Sequence, residues 1–75
     1  LNLLGYTVEE ALGEVDRFLD GALMRGQHTV YIIHGLGTVP RAGIQKHLRT
    51  HRQVKSFRLG GYGEGGSGVT VVELK

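Results

Sequence analysis

An imidazole followed by alternate glycines, His34-Gly35-Leu36-Gly37-Thr38, stands where the apolar run Val30-Tyr31-Ile32-Ile33 ends and a helical pattern begins. A strand-to-helix turn of this kind suits an anion: glycines let backbone N–H groups approach a ligand closely, and a helix N-terminus favours negative charge. A histidine at the same turn can donate a hydrogen bond to a phosphate oxygen or move a proton near neutral pH. Cutting a phosphodiester needs a group that activates the nucleophile, a positive or N–H-lined pocket for charge developing on phosphorus, and help for the departing oxygen. His34 answers the first or the last need. Gly35, Gly37, Thr38, the second helix N-terminus and Arg41 answer the middle one. Taken by itself, His34 reads first as a structural histidine capping the turn and second as a catalytic one.

Charge supports a polyanion partner through its placement. Formal net charge is only +2, yet residues 41 to 58 hold Arg41, Lys46, Arg49, Arg52, Lys55 and Arg58, six of the nine lysines and arginines, and no acid. Residues 9 to 20 carry Glu9, Glu10, Glu14, Asp16 and Asp20 against Arg17 alone. A one-signed stretch beside a phosphate-type turn is an electrostatic footprint for nucleic acid, with solvated helix and strand surface as the plainer reading. Arg41, Lys46, Arg49 and Arg52 are the candidate backbone contacts, with Gly65 and Gly66 of the later glycine-rich loop. Histidines 28, 47 and 51 read as surface residues; no pair of them has a metal-ligand spacing with an acid, so no metal is expected. Tyr31 falls in the apolar run and reads as core, and Tyr62 alone makes no stacking platform. Phosphate contact with double-stranded or branched nucleic acid is therefore the expectation.

The elements that must position these groups follow from periodicity. Leu1-Asn2-Leu3-Leu4 is a short apolar strand and Gly5-Tyr6 its exit. Thr7-Val8-Glu9-Glu10 is a capping box, and Val8, Ala11, Leu12, Val15, Phe18, Leu19, Ala22 and Leu23 follow the i, i+3, i+4, i+7 spacing of one helical face. Gly26 closes that helix. Thr29 to Ile33 suits a central strand. A second helix starts near Pro40 and runs to about Thr50, with Ile44 and Leu48 inward. Val54 to Leu59 is a strand of imperfect alternation, six glycines fall within residues 60 to 68, and Val69 to Leu74 is the last strand. The order β-α-β-α-β-β predicts a two-layer α/β domain: a mixed four-stranded sheet with both helices on one face. The carboxyl ends of the first two strands then lie side by side, which places Leu4-Gly5 beside His34-Gly35.

Seventy-five residues make one domain, 1–75, and no apolar run is long enough to span a bilayer. The chain lacks cysteine, so it has no disulfide or thiolate zinc site. It opens at Leu1 without an initiator methionine and closes on a strand, which suggests the C-terminal piece of a larger, cytoplasmic protein.

Three segments in order, Leu1 to Gly5 with Thr7 to Leu12, His34 to Thr38, and Gly63 to Lys75, together resemble the Smr (small MutS-related) domain over the whole chain. The closing segment is most similar to the version that ends the second bacterial MutS paralogue, where the domain follows an ATPase and a coiled-coil region. The resemblance implies a fold similar to the C-terminal domain of translation initiation factor three. It also implies DNA or RNA binding, and nicking endonuclease activity serving DNA repair or recombination control. Its alternative is a non-catalytic module that brings a larger ATPase, dimeric in its parent, to DNA or, in ribosome rescue, to ribosomal RNA. No cofactor is implied within the domain, since ATP would belong to the rest of the parent.

This chain departs from the family pattern at three positions that could touch phosphate or water, and it also lacks the family's further glycine after Thr38, going straight to Val39-Pro40, one residue short before the second helix. The first motif usually reads Leu-Asp-Leu-Arg/His-Gly, and here Asn2 and Leu4 stand at the acidic and basic positions. The second motif usually has lysine where this chain has Leu36. The resemblance thus assigns catalysis to His34 with Asn2 and Leu4 at altered positions, leaves Glu64 as the acid expected nearby, and predicts an impaired nuclease.

Overall fold

The computed structural model describes residues 1–36 and 41–75. Gly37, Thr38 and Pro40, singled out in the sequence, lie outside the described residues. The elements are α1 (Val8–Met24), β1 (Thr29–Ile33), α2 (Arg41–Thr50), β2 (Val54–Leu59), a 3-10 turn at Gly66–Gly68, and β3 (Val69–Leu74).

Helix α1 starts and stops where its residues dictate. Thr7 Oγ1 accepts from the Glu10 N–H, and the Glu10 carboxylate accepts from the Thr7 N–H. That backbone bond holds the Glu10 carboxyl below its ordinary value. At the other end Gly26 takes a positive φ of 74°. Its N–H donates to the Leu23 carbonyl and the Gln27 N–H to the Ala22 carbonyl, at 3.0 and 2.9 Å, the paired bonds of a Schellman stop. Between these caps Ala11, Val15, Leu19 and Ala22 are buried, one face of the predicted stripe.

The sheet differs from the prediction. Among the described residues it has three strands in the order β1-β3-β2, and both pairings are antiparallel. Leu1 to Leu4 contributes only a parallel bridge of Asn2 with Ile33, built on Leu3 N–H to Ile33 carbonyl and Ile33 N–H to Leu1 carbonyl bonds, each 2.7 Å. The segment is too short to go further: Asn2 Oδ1 takes the Leu4 N–H at 2.9 Å, and Gly5, at φ 88°, turns the chain toward α1. β3, not β1, is the central strand, with five of its six residues buried. β1 and β2 run parallel to each other across it, joined over the top by α2. The irregular alternation of β2 has a cause in a register shift between Val54 and Ser56.

One apolar cluster joins Leu3, four residues of α1, Ile44 and Leu48 of α2, and Val30, Ile32, Val72 and Leu74 of the sheet, so both helices lie on one face. The predicted core role of Tyr31 does not hold. Val30 and Ile32 occupy the helix-facing side of β1, and period-two alternation sends Tyr31 and Ile33 to the other; Tyr31 is 45% exposed. That open face is flanked by the glycine-rich loop, leaving a depression of about 360 Å³ lined by Tyr31, Ile33, Val69 and residues 63 to 65. Among the described residues, no helix is long and apolar enough to cross a membrane.

Candidate nucleic-acid interface

The His34 turn is built from both sheet ends. The His34 and Gly35 N–H groups both donate to the Gly68 carbonyl, at 3.1 and 2.9 Å. Gly35 has φ 71°, and a Cβ there would stand 2.7 Å from Leu4 Cδ2. The predicted meeting of Leu4 and Gly35 is therefore present, with the end of the glycine loop closing against it.

The ring of His34 is turned inward. It is fully buried. Nδ1 lies 2.8 Å from the Gly35 carbonyl and Nε2 2.8 Å from Thr70 Oγ1. A carbonyl only accepts, so Nδ1 carries the proton and Nε2 accepts from the Thr70 hydroxyl. With both nitrogens engaged and no surface exposed, the ring has nothing to offer a phosphate in this arrangement. The geometry fits the structural reading of His34: it ties the β1 end to β3 and fixes the turn.

Asn2 and Leu4 flank this turn on the outside, separated by the buried Leu3. Asn2 spends its side-chain oxygen on the Leu4 N–H. Leu4, which packs on Gly35, is 54% exposed and Leu36 is exposed as well, so the turn carries aliphatic surface where the family pattern has charge.

Glu64 does not join His34. Its carboxylate is bidentate to Arg58, at 2.7 and 2.8 Å, and accepts the Gly61 N–H at 2.9 Å. Arg58 pairs in register with Val71, on the open face, whereas Thr70 and the His34 ring belong to the helix side. The Arg58 guanidinium first, and the Gly61 N–H second, pull the Glu64 carboxyl down to about 2. Its role is to clamp the loop that carries Gly65, whose φ is 95° and whose added Cβ would overlap Val69. Gly66 also has positive φ and donates to the Gly61 carbonyl at 3.3 Å.

The basic residues of α2 and the turn after it, Arg41, Lys46, Arg49 and Arg52, are all exposed. Arg49 lies 5.8 Å over the Phe57 ring, which holds its guanidinium against the protein while leaving it accessible.

Sequence reasoning missed one cluster. His47 and His51, read as plain surface, are partly buried beside Asp16 of α1. His47 Nε2 is 2.7 Å and His51 Nε2 3.8 Å from Asp16 Oδ1. The two histidines are four apart at the α2 C-terminus, and helical spacing puts them on one side. The missing information was that Asp16 faces that side from another helix. Among the described residues, no group of three or more His, Asp or Glu is set out to hold a metal ion.

The profile of the Smr domain matches residues 1–75. A protein from Brevibacillus brevis described as Endonuclease MutS2 is 60% identical over the whole chain, and one of the same description from Acetivibrio thermocellus is 57% identical over the whole chain. The chain spans about a tenth of the length of each. Among solved structures, the Smr domain of Thermus thermophilus MutS2 superposes with a TM-score of 0.95 at 46% identity, covering all of this chain and 95% of that one. YdaL, a stand-alone small MutS-related protein from Escherichia coli, gives 0.91 at 33% identity, covering all of this chain and 63% of that one.

Proposed function

The chain belongs to the Smr domain family, and from that membership we propose that it is a nucleic-acid-binding domain of an endonuclease-type protein, gripping the phosphate backbone of duplex or branched DNA. The observation that carries this reading is the display of Arg41, Lys46, Arg49 and Arg52, every one exposed, along a helix and turn free of acids. Arg41 opens α2, and the His-Gly turn is held in place by Gly68 and Leu4. His34 serves this interface by shaping it, since its ring is inside. With a neutral first motif and an enclosed His34, binding rests on α2, and sequence preference is expected to be slight because phosphate contacts carry no sequence information.

A salt titration of duplex affinity tests this. Neutralising Z phosphates gives a log–log slope of about −0.9Z. Reversing Arg41 and Arg49 to glutamate should flatten the slope by about two and weaken binding on every sequence alike. A double variant that binds as the parent does at low salt would show that α2 is not the binding face.

A further inference from the structure

We propose that this domain nicks DNA with His47, oriented by Asp16, as the residue that handles the proton, a reactive centre separate from the His34 turn; the proposal rests on the DNA-binding reading above. The dyad spans α1 and α2 at 2.7 Å. An ionised carboxylate only accepts, so Nε2 carries the hydrogen and, in the neutral ring, the lone pair is on Nδ1. No described residue partners Nδ1, and no buried side-chain nitrogen or oxygen among them lacks a partner. The side chain keeps 27% of its surface exposed, and Nδ1 is the nitrogen that no described residue engages. A base held in one tautomer by a carboxylate, with its other nitrogen unengaged beside an open groove, is the arrangement that activates a nucleophile.

Beside the dyad lies a groove that carries the carboxylates of Asp16 and Asp20 and the guanidinium of Arg52. The groove, of about 520 Å³, is lined by Asp16, Asp20, His47, Thr50, His51 and Arg52. His51 Nδ1 accepts the Gln53 N–H at 3.2 Å, which leaves the hydrogen on Nε2, pointed at the same Asp16 oxygen. The Asp16 charge thus faces two imidazole N–H groups. Arg52 supplies a cation within the groove, and Lys46 borders the next depression along α2, which His47 also lines. Lys46 and Arg52 are thus the cations on the α1 flank of α2 that a strand crossing this groove would meet, while Arg49, packed over Phe57, belongs to the β2 flank; His34 is beneath the surface.

In the step proposed, Nδ1 takes a proton from a water molecule as the water oxygen bonds to phosphorus. The P–O bond to the departing sugar breaks with its electron pair, and the imidazolium returns the proton to that oxygen. Water is the only co-reactant. His47 is the catalytic residue and Asp16 a positioning residue.

Supercoiled-plasmid nicking by the 75-residue chain, with anisotropy measuring duplex binding alongside, tests the proposal. General base help of this kind is worth about 10² to 10⁴ in rate. His47→Ala should lower kcat at least about 100-fold with KM unchanged, and free imidazole should restore part of the rate to His47→Gly. Asp16→Asn should lower kcat at least about tenfold, again with KM unchanged, as expected for a lost tautomer preference. If His47→Ala fails to fold, His47→Gln, which keeps a polar contact to Asp16, decides the matter by the same loss. Wild-type rates in a folded His47 variant, or no response to imidazole, overturn the proposal and leave the binding reading intact. A parent chain that binds duplex but never nicks overturns it as well, and one that does not bind overturns both readings.

Discussion

Thr70→Val isolates what His34 does. Valine matches threonine in shape and keeps the β3 backbone, but it deletes the one partner, among the described residues, of a ring nitrogen with no access to water. Leaving a buried polar atom unpaired costs about 1–3 kcal/mol, and burying a methyl in place of the hydroxyl returns less than about 1 kcal/mol. A net loss of about 1–2 kcal/mol is expected, against a total stability of roughly 4–11 kcal/mol for a domain of this length. At roughly 4–8 °C per kcal/mol the melting temperature should fall by about 4–16 °C. His34→Ala should cost more, about 2–5 kcal/mol, since it also empties core volume. Once the ring is gone, Thr70→Val should add little. Calorimetry on the four proteins of this cycle gives the coupling, expected at about 1–2 kcal/mol. A Thr70→Val protein melting within about 2 °C of wild type, or strict additivity, would refute the idea that this bond fixes the turn.

The remaining predictions concern the turn rim and the glycine loop. Because the folded Glu64 carboxyl is held at about 2, below its ordinary 4.5, its contribution is complete above pH 4.5 and is lost as pH falls from there toward 2. The Gly61 amide resonance should move through that acid window, and Glu64→Gln should abolish the movement while Arg58 loses its ionic partner. Leu4→Arg sets a cation over Gly35, so duplex affinity should rise and the salt slope steepen by about one. Unchanged binding in that variant would place the first motif outside the interface.

Local signals were legible in the sequence wherever the chain talks to itself. The Thr7–Glu10 box and the Gly26 stop depend on residues three to five apart, so α1 could be read almost to its ends. β2 and β3 had their bounds in hydrophobic runs between glycines and turns. The nearness of Leu4 to Gly35 followed from strand order alone. What a strand pairs with is another matter: β3 took the centre because both neighbours pair with it, and Leu1 to Leu4 stopped at one bridge because Asn2 and Gly5 turn the backbone away.

The candidate site shows the same division. Its family and its basic helix are written in residue order, since motif spacing and like-charge runs survive without coordinates. The direction in which a side chain points is not. One residue's parity on β1 put Tyr31 outside and the His34 ring inside, against Thr70 from a strand 36 residues away. Asp16 meets His47 across 31 residues only because α1 and α2 pack on the same sheet face. Burial and long-range hydrogen bonds depend on how elements pack, and the packing decided which histidine is enclosed and which faces water.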